Sequence, residues 1–374
     1  MVSAGQVGRR KRTGVAGLKD QFENIASVRD RLREGLAQRI VGQEQVIDQV
    51  LISMLSAGHV LVMGVPGLAK TLLVRSISEL LQLDFNRIQF TPDLMPQDIT
   101  GSTLLDKTGA SGSRAFSFVQ GPLFANMILG DEINRTPPKT QAAMLEAMEE
   151  GFVTVMGERH RLPDPFFVMA TQNPLEQEGT YPLPFTQLDR FTFQVLMDYP
   201  NADEELDVVS ATTSRIDSPL ESVVPGNWLG EALKEVARVE IPEFQIQRAT
   251  RMVRATRPGE EGVSEATNEL LTHGSGPRGV QSILSTARSR AALHERNTVT
   301  DEDLDAVVYP ALRHRLGLSV HAEAEGIDPD RVLERILEES GELKAGPPQS
   351  EYGRPGLWSR MFQHFADTTP PFKS

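Results

Sequence analysis

The sequence predicts an α/β fold, a parallel sheet with helices on both faces, followed by an all-helical second domain. Three observations carry that expectation. Short apolar runs recur as far as Met197 and alternate with helical patterns, as strands buried on both faces do. One of them, VLVM (60–63), runs into the glycine-rich turn GVPGLAKT (64–71) and then into TLLVRSISELL, which has apolar residues at helical spacing. Strand, glycine-rich turn, Lys-Thr and helix is the layout of a phosphate-binding loop. From about Pro200 onward strand signals stop and the apolar residues keep a helical period.

Taken in order, residues from about Asn24 to Ala57 read as two helices split by IVGQ (40–43). VLVM is the first strand, FNRIQF (85–90) the second, NMILGDE (126–132) the third, PFFVMATQN (165–173) the fourth and RFTFQVLM (190–197) the fifth. Polar residues gather at the carboxyl ends of these strands, where open α/β sheets bind ligands. Beyond them WLGEALKEVARV, EFQIQRATRMVRAT, PRGVQSILSTARSRAALHE and DEDLDAVVYPALRHRL read as helices, broken at RPGEEG (257–262) and GSGPRG (274–279). The expected division is a flexible basic tail over 1–23, an α/β core over 24–200, a helical domain over 201–340 and a Pro/Gly-rich tail over 341–374. Within the last, LWSRMFQHF (357–365) fits a short amphipathic helix, docking on a neighbour or packing on its own domain.

Composition removes several function classes. With no cysteine among 374 residues, disulfides, thiolate catalysis and cysteine-bound zinc are excluded. Seven histidines without H-E-x-x-H spacing argue against a built-in transition-metal site. A net charge of -13 opposes a general nucleic-acid surface, which needs clustered Lys and Arg, so no nucleic-acid partner is expected. The basic GRRKR (8–12) is followed by polar GLKDQFEN instead of an apolar targeting core, and the apolar stretch 51–68 is broken by Gly58, His59, Gly64 and Pro66. No membrane span and a cytoplasmic location are therefore expected.

The chemistry is concentrated in a few motifs. GVPGLAKT keeps Gly64, Lys70 and Thr71 of the pattern G-x-x-x-x-G-K-[ST] but has Ala69 where the last glycine stands. Backbone N–H groups of Pro66-flanked Gly67, Leu68, Ala69, Lys70, Thr71 and Leu72 would face an anion at the start of a helix. Gly64 and Gly67 supply the flexible positions, and Ala69 is expected to take ordinary helical dihedrals. Lys70 would reach the β and γ phosphates, and the Thr71 hydroxyl would bind Mg²⁺. The third strand ends in Asp131 and Glu132, suited to holding Mg²⁺ and to activating a water; capping the next helix is the plainer alternative. Asn173 in ATQNP stands at the tip of the fourth strand, to orient that water or merely to turn the chain. Arg190 in QLDRF precedes the fifth strand; a guanidinium on the γ-phosphate is worth ~10³- to 10⁵-fold in phosphoryl transfer, whereas a salt bridge with adjacent Asp189 is the alternative. Arg278 in GSGPRG either reaches phosphates from the second domain or simply opens a helix.

GVPGLAKT, FTPDLMPQDITG, GPLFANMILGDEINR, TQAAMLEAMEE, ATQNPLEQEGTYPLP, QLDRF and GSGPR occur in the order, and close to the wording, of MoxR-type AAA+ ATPases. The resemblance runs from about residue 24 to 320. It implies an AAA+ P-loop core with strand order 5-1-4-3-2, a C-terminal helical lid, ATP and Mg²⁺ as ligands, and a ring, usually a hexamer. By matching position Lys70 and Thr71 are the Walker A pair, Asp131 and Glu132 the Walker B pair, and Asn173 sensor 1. Arg190 becomes the arginine finger on the adjacent subunit and Arg278 sensor 2, while Val41, Gly42 and Gln43 border the adenine. Segments 100–121 and 151–166 resemble two hairpins that project toward a central pore in related rings. Two positions depart from the pattern. LPFTQLDRF has Phe185 and Thr186 where LPEAQLDRF is common, and HERNTVT (294–300) lacks the usual Gly-Arg.

The resemblance implies an ATP-driven, chaperone-like machine acting on a partner protein, of which one with a von Willebrand factor A domain is a candidate. Three alternatives stand beside it. A DNA-translocating motor would use Arg159, His160 and Arg161 at the tip of the second hairpin. A metal-chelatase motor subunit has a similar core. A nucleotide-gated scaffold with little turnover would draw on the Phe185 and Thr186 departures.

Overall fold

The computed structural model describes residues 15–106, 115–174, 179–214 and 220–343. The centre of the first hairpin, the LEQE segment after Asn173, the GRRKR cluster and LWSRMFQHF lie outside them.

Helix α1 (Val15–Ala37) starts inside the stretch expected to be a tail, and α2 (Glu44–Leu55) follows a turn at Gly42 and Gln43. The phosphate loop joins β1 (Val60–Gly64) to α3 (Lys70–Leu81), and β2 (Phe85–Gln89) comes next. A short α4 (Pro96–Thr100) leads into a hairpin of β3 (Gly101–Asp106) and β4 (Ala115–Gln120), paired antiparallel. Strand β5 (Met127–Asp131) and α5 (Pro138–Glu150) precede a second antiparallel hairpin, β6 (Phe152–Val155) and β7 (Glu158–Arg161). Strand β8 (Phe167–Gln172), the short α6 (Phe185–Leu188) and β9 (Phe193–Met197) complete the core.

The five long strands form one parallel sheet in the order β2-β5-β8-β1-β9, which is the expected 5-1-4-3-2. The pleat sends alternate side chains to two covered faces, so the central strands β1, β5 and β8 are apolar over most of their length, whereas the edge strand β2 keeps Asn86, Arg87 and Gln89. Val60 and Val62 of β1, Met127 and Leu129 of β5, Phe167 and Met169 of β8 and Phe193 and Val195 of β9 enter the core shared with α2 and α3. Leu61, Ile128, Val168 and Ala170 enter a second core, with Met144 and Leu145 of α5. The chain leaves β1 toward one side of the sheet, and β9 pairs on the other. That reversal puts the phosphate loop at the topological switch point.

Helices α7 (Ala202–Ser214), α8 (Trp228–Val236), α9 (Glu243–Ala255) and α10 (Glu265–Leu270) begin the second domain. A two-residue ladder pairs β10 (Leu271–His273) with β11 (Gly317–Leu318) and encloses α11 (Pro277–Leu293) and α12 (Asp301–Leu312). This ladder is an addition to the otherwise helical lid, and α13 (Val320–Ala324) and α14 (Pro329–Glu339) close it. The lid does not hang free of the sheet. Ile283 and Ala287 of α11 and Val307 of α12 join the same core as α2, α3 and β9.

The second hairpin corrects one expectation. Its two-residue turn is Met156-Gly157, with φ 51 and 86, the left-handed pair that a tight hairpin turn requires. Arg159, His160 and Arg161 therefore lie along β7 rather than at the tip. The Arg159 guanidinium sits 4.6 Å above the Phe152 ring, and His160 stacks on Phe118 of β4 at 3.8 Å. The exposed residues of the turn itself are Met156 and Gly157, so the basic trio stands along β7 and not at the tip.

Candidate active site

At the carboxyl edge of the sheet, Gly64 ends β1 against β9. A side chain there would strike the Met197 carbonyl oxygen at 2.8 Å, so only glycine fits. Pro66 and Gly67 are exposed at the crest, Leu68 tucks into the core, and Leu72 packs half-buried on the first turn of α3. Ala69 is the N-cap of α3 with φ 56 and ψ 22, a left-handed conformation, which overturns the expectation of helical dihedrals. The turn geometry that favours glycine at this place is kept although the glycine is not, at a cost of roughly 1–2 kcal/mol. Lys70 donates from Nζ to the Gly64 carbonyl at 2.7 Å. Burial pushes its ammonium pKa down, against the pull of the Asp131 and Glu132 carboxylates, so those charges share one small space.

Asp131 ends β5 and Glu132 follows it with φ 58 and ψ 51, a second strained left-handed residue. Thr171 of β8 holds both. Its hydroxyl donates to Asp131 Oδ1 at 2.7 Å and accepts the Glu132 backbone N–H at 2.9 Å. Sequence reasoning missed this residue. The parallel register, which pairs Gly130 with Ala170, brings the next two residues together and is the signal that finds it. From β2, Arg87 donates to Asp131 Oδ2 at 2.5 Å and Gln89 to Glu132 Oε2 at 2.9 Å. Arg135 also donates to Glu132 Oε2, at 2.9 Å. Asn173 is buried one residue past the end of β8, whose Gln172 pairs with Met63, so it stands beside the loop. Thr71 is half-buried in the first turn of α3. A Thr hydroxyl and an Asp carboxylate are hard oxygen donors of the kind Mg²⁺ takes from protein in phosphate sites, so these residues fit that ion.

Val41, Gly42 and Gln43 flank the same edge. Gln43 donates from Nε2 to the Asp198 carbonyl past the end of β9 at 3.0 Å, and Gly42 faces the Glu204 carboxylate of α7. The structure thus brings the loop, the acid pair, Asn173 and the Val41 turn to one edge.

It does not bring Arg190 or Arg278 there. The Thr192 N–H donates to the His59 carbonyl, and His59 Nε2 meets the Met148 carbonyl at 3.0 Å, which fixes the approach to β9 and the end of α5 at the amino edge of the sheet. Five residues of β1 separate that edge from the phosphate loop, about 16 Å at strand rise. Arg190 pairs with Glu149 at 2.9 Å rather than with its neighbour Asp189, and Arg278, on the first turn of α11, pairs with the same Glu149. Asp189 instead receives Arg315 at 2.7 Å. A cleft of about 370 Å³ opens here, lined by Glu149, Arg190, Arg278, Gln281, Ser285 and Arg315 among others. Phe185, at the head of α6, lies 5.6 Å from the His273 ring of the lid, so the departure from an acid at that position becomes an aromatic contact between α6 and the lid.

The family described as "ATPase family associated with various cellular activities (AAA)" matches residues 59–193, and the AAA lid domain matches residues 263–336. The chain is 39% identical over 320 residues to the uncharacterized protein YeaC of Bacillus subtilis, across 84% of this chain and 95% of that protein. It is 39% identical over 300 residues to chaperone MoxR1 of Mycobacterium tuberculosis, across 80% of this chain and 78% of that protein. A crystal structure from Cytophaga hutchinsonii, named as a candidate ATPase, superposes with a TM-score of 0.79 at 37% identity, covering 87% of this chain and 97% of that one.

Proposed function

The chain belongs to the MoxR-type AAA+ ATPases, and from that footing we propose that it hydrolyses ATP at a site shared between adjacent copies and uses the cycle to remodel a partner protein. One observation carries the shared site. Lys70, Thr71, Asp131, Glu132 and Asn173 stand at one edge of the sheet, and Arg190 with Arg278 at the other. Arg190 and Arg278 stand too far from the phosphate loop of their own chain to act there, so the two halves meet when one copy's amino edge faces the next copy's carboxyl edge.

In the proposed reaction the loop amides and Lys70 hold the β and γ phosphates. Thr71 and Asp131 would hold Mg²⁺, which would neutralise phosphate charge. Glu132 takes a proton from water as its oxygen attacks the γ-phosphorus, and the bond from that phosphorus to the β-γ bridging oxygen breaks. Both neighbours of Glu132 bond to Oε2, which leaves Oε1 to face the water. Asn173 orients that water, and Arg190 of the adjacent copy meets the charge on the leaving oxygens. The chaperone role is carried over from the name of the mycobacterial relative. A von Willebrand factor A protein is the first client to test.

The experiment is Mg²⁺-dependent ATPase activity against chain concentration for the wild type, Arg190→Ala and an equimolar mixture of Arg190→Ala with Lys70→Ala. Activity per chain rises with concentration, each variant alone is inactive, and the mixture regains part of the rate. Flat activity with a functional Arg190→Ala refutes the shared site.

A further inference from the structure

We propose that Glu149 is a positioning residue for the adjacent copy's nucleotide: its carboxylate holds Arg190 and Arg278 as a converging pair and yields them to the terminal phosphate of a nucleoside triphosphate. This rests on the shared-site reading above. Each carboxylate oxygen serves one arginine, Oε2 taking Arg190 Nη1 at 2.9 Å and Oε1 taking Arg278. The three residues come from different elements, the end of α5, the approach to β9 and the start of the lid helix α11. Among the described residues, Glu149 is the group that pairs with both guanidinium groups.

Charge and access give the pair its direction. The third arginine of the cleft, Arg315, is buried and committed to Asp189 and to the carbonyls of Ala311 and Phe191. Glu149 therefore faces two unit positive charges with one negative charge, and the cleft keeps a net positive charge. Arg190 and Arg278 are 31% and 43% exposed, so an anion on a facing surface reaches both. A terminal phosphate presents the same guanidinium-matching oxygens as a carboxylate, with more charge and a third oxygen, so it displaces Glu149 from both arginines. Until that exchange, Glu149 keeps the two groups spaced and aimed. Arg190 is further anchored by the Leu145 carbonyl at 2.9 Å, so its guanidinium need only rotate.

The consequence is that triphosphate-driven association competes with an internal ion pair. The test uses the full chain carrying Glu132→Gln, which retains bound ATP, and reads the chain concentration at half-association by sedimentation with Mg²⁺ and either ATP or ADP. Adding Glu149→Gln lowers the midpoint with ATP by about threefold to tenfold, the size of two half-exposed ion pairs. With ADP the midpoint does not move, and Glu149→Asp, which keeps the charge, stays near the parent. In an Arg190→Ala/Arg278→Ala background the shift disappears. Thermal melts matched to the parent establish that each variant folds. A midpoint with ATP that is unchanged or raised by Glu149→Gln overturns the inference, as does an equal shift with ADP or without the arginines. The underlying reading fails separately: if removing both arginines leaves the ATP-dependent midpoint at the parental value, they do not touch the neighbour's nucleotide at all.

Discussion

Lowering the pH from 7.5 to 5.0 removes about 2 kcal/mol of folding stability through one side chain, His59. The residue precedes β1 and bridges two elements. Its Nε2 donates to the Met148 carbonyl at 3.0 Å, and its Nδ1 accepts the Val168 N–H at 3.1 Å. With one ring nitrogen committed as donor and the other as acceptor, the imidazole must be neutral. Burial pushes its pKa from 6.5 down to about 4, with the Met148 carbonyl opposing. The folded value lies below the unfolded one, so between those values the unfolded chain binds a proton that the folded chain refuses. Stability is full above the unfolded pKa and falls as pH drops toward the folded pKa. At roughly 1.4 kcal/mol per unit the whole window is worth about 3 kcal/mol, of which about 2 is lost by pH 5. The assay is urea unfolding at both pH values for wild type and His59→Gln, whose amide keeps a donor and an acceptor without titrating. The difference between the two proteins isolates His59 from other groups, including His314, which burial also holds well below its usual pKa. Equal pH dependence in wild type and His59→Gln refutes the argument. The added proton goes to Nδ1, so it breaks the contact with the Val168 N–H at the start of β8 and leaves the Nε2–H bond to Met148 in place.

Three other substitutions probe the site. Ala69→Gly relieves a left-handed alanine at φ 56 and raises stability by about 1 kcal/mol net of the unfolded-state entropy of glycine, with turnover retained; a lower thermal midpoint contradicts the strain. Thr171→Val removes the hydroxyl between Asp131 and Glu132 and leaves the Glu132 N–H unpaired, costing about 1–3 kcal/mol. Its kcat falls at least tenfold on the order expected of a displaced catalytic group while nucleotide affinity holds, and steady-state kinetics beside equilibrium nucleotide titration separate the two. Phe185→Ala removes the aromatic contact with His273, a loss of about 1 kcal/mol, and speeds amide hydrogen exchange in β10 and β11; unchanged exchange there means the contact carries no lid docking.

Much of this architecture was legible in the residues, for identifiable reasons. Strands buried on both faces must be apolar throughout, and VLVM, NMILGDE and PFFVMATQN meet that demand with little else to fit. The loop and the acid pair were legible because each follows such a strand directly. The strand order was not a matter of periodicity; it came with the resemblance. Ala69 was misjudged because helix propensity favours alanine, while the fixed turn between β1 and α3 imposes its own dihedrals. The side of the sheet on which Arg278 falls depends on how the lid packs against α2 and β9, a long-range fact that local spacing does not encode. His59 carried no signal as a lone histidine before a strand, and the basic trio in β7 looked like a tip because the turn chemistry of Met156-Gly157 went unread.

The sheet that divides the proposed site gives each copy a donor edge and an acceptor edge that are not the same surface. Two copies meeting through such a contact are related head to tail, not by a two-fold axis, so one complete site forms while an unused edge remains at either end. Every added copy repeats the situation. A linear stack of any length always wastes a phosphate loop at one end and an arginine pair at the other. Cyclic closure is the arrangement that leaves neither, so the proposed sharing of the site carries with it a cyclic symmetry for the assembly.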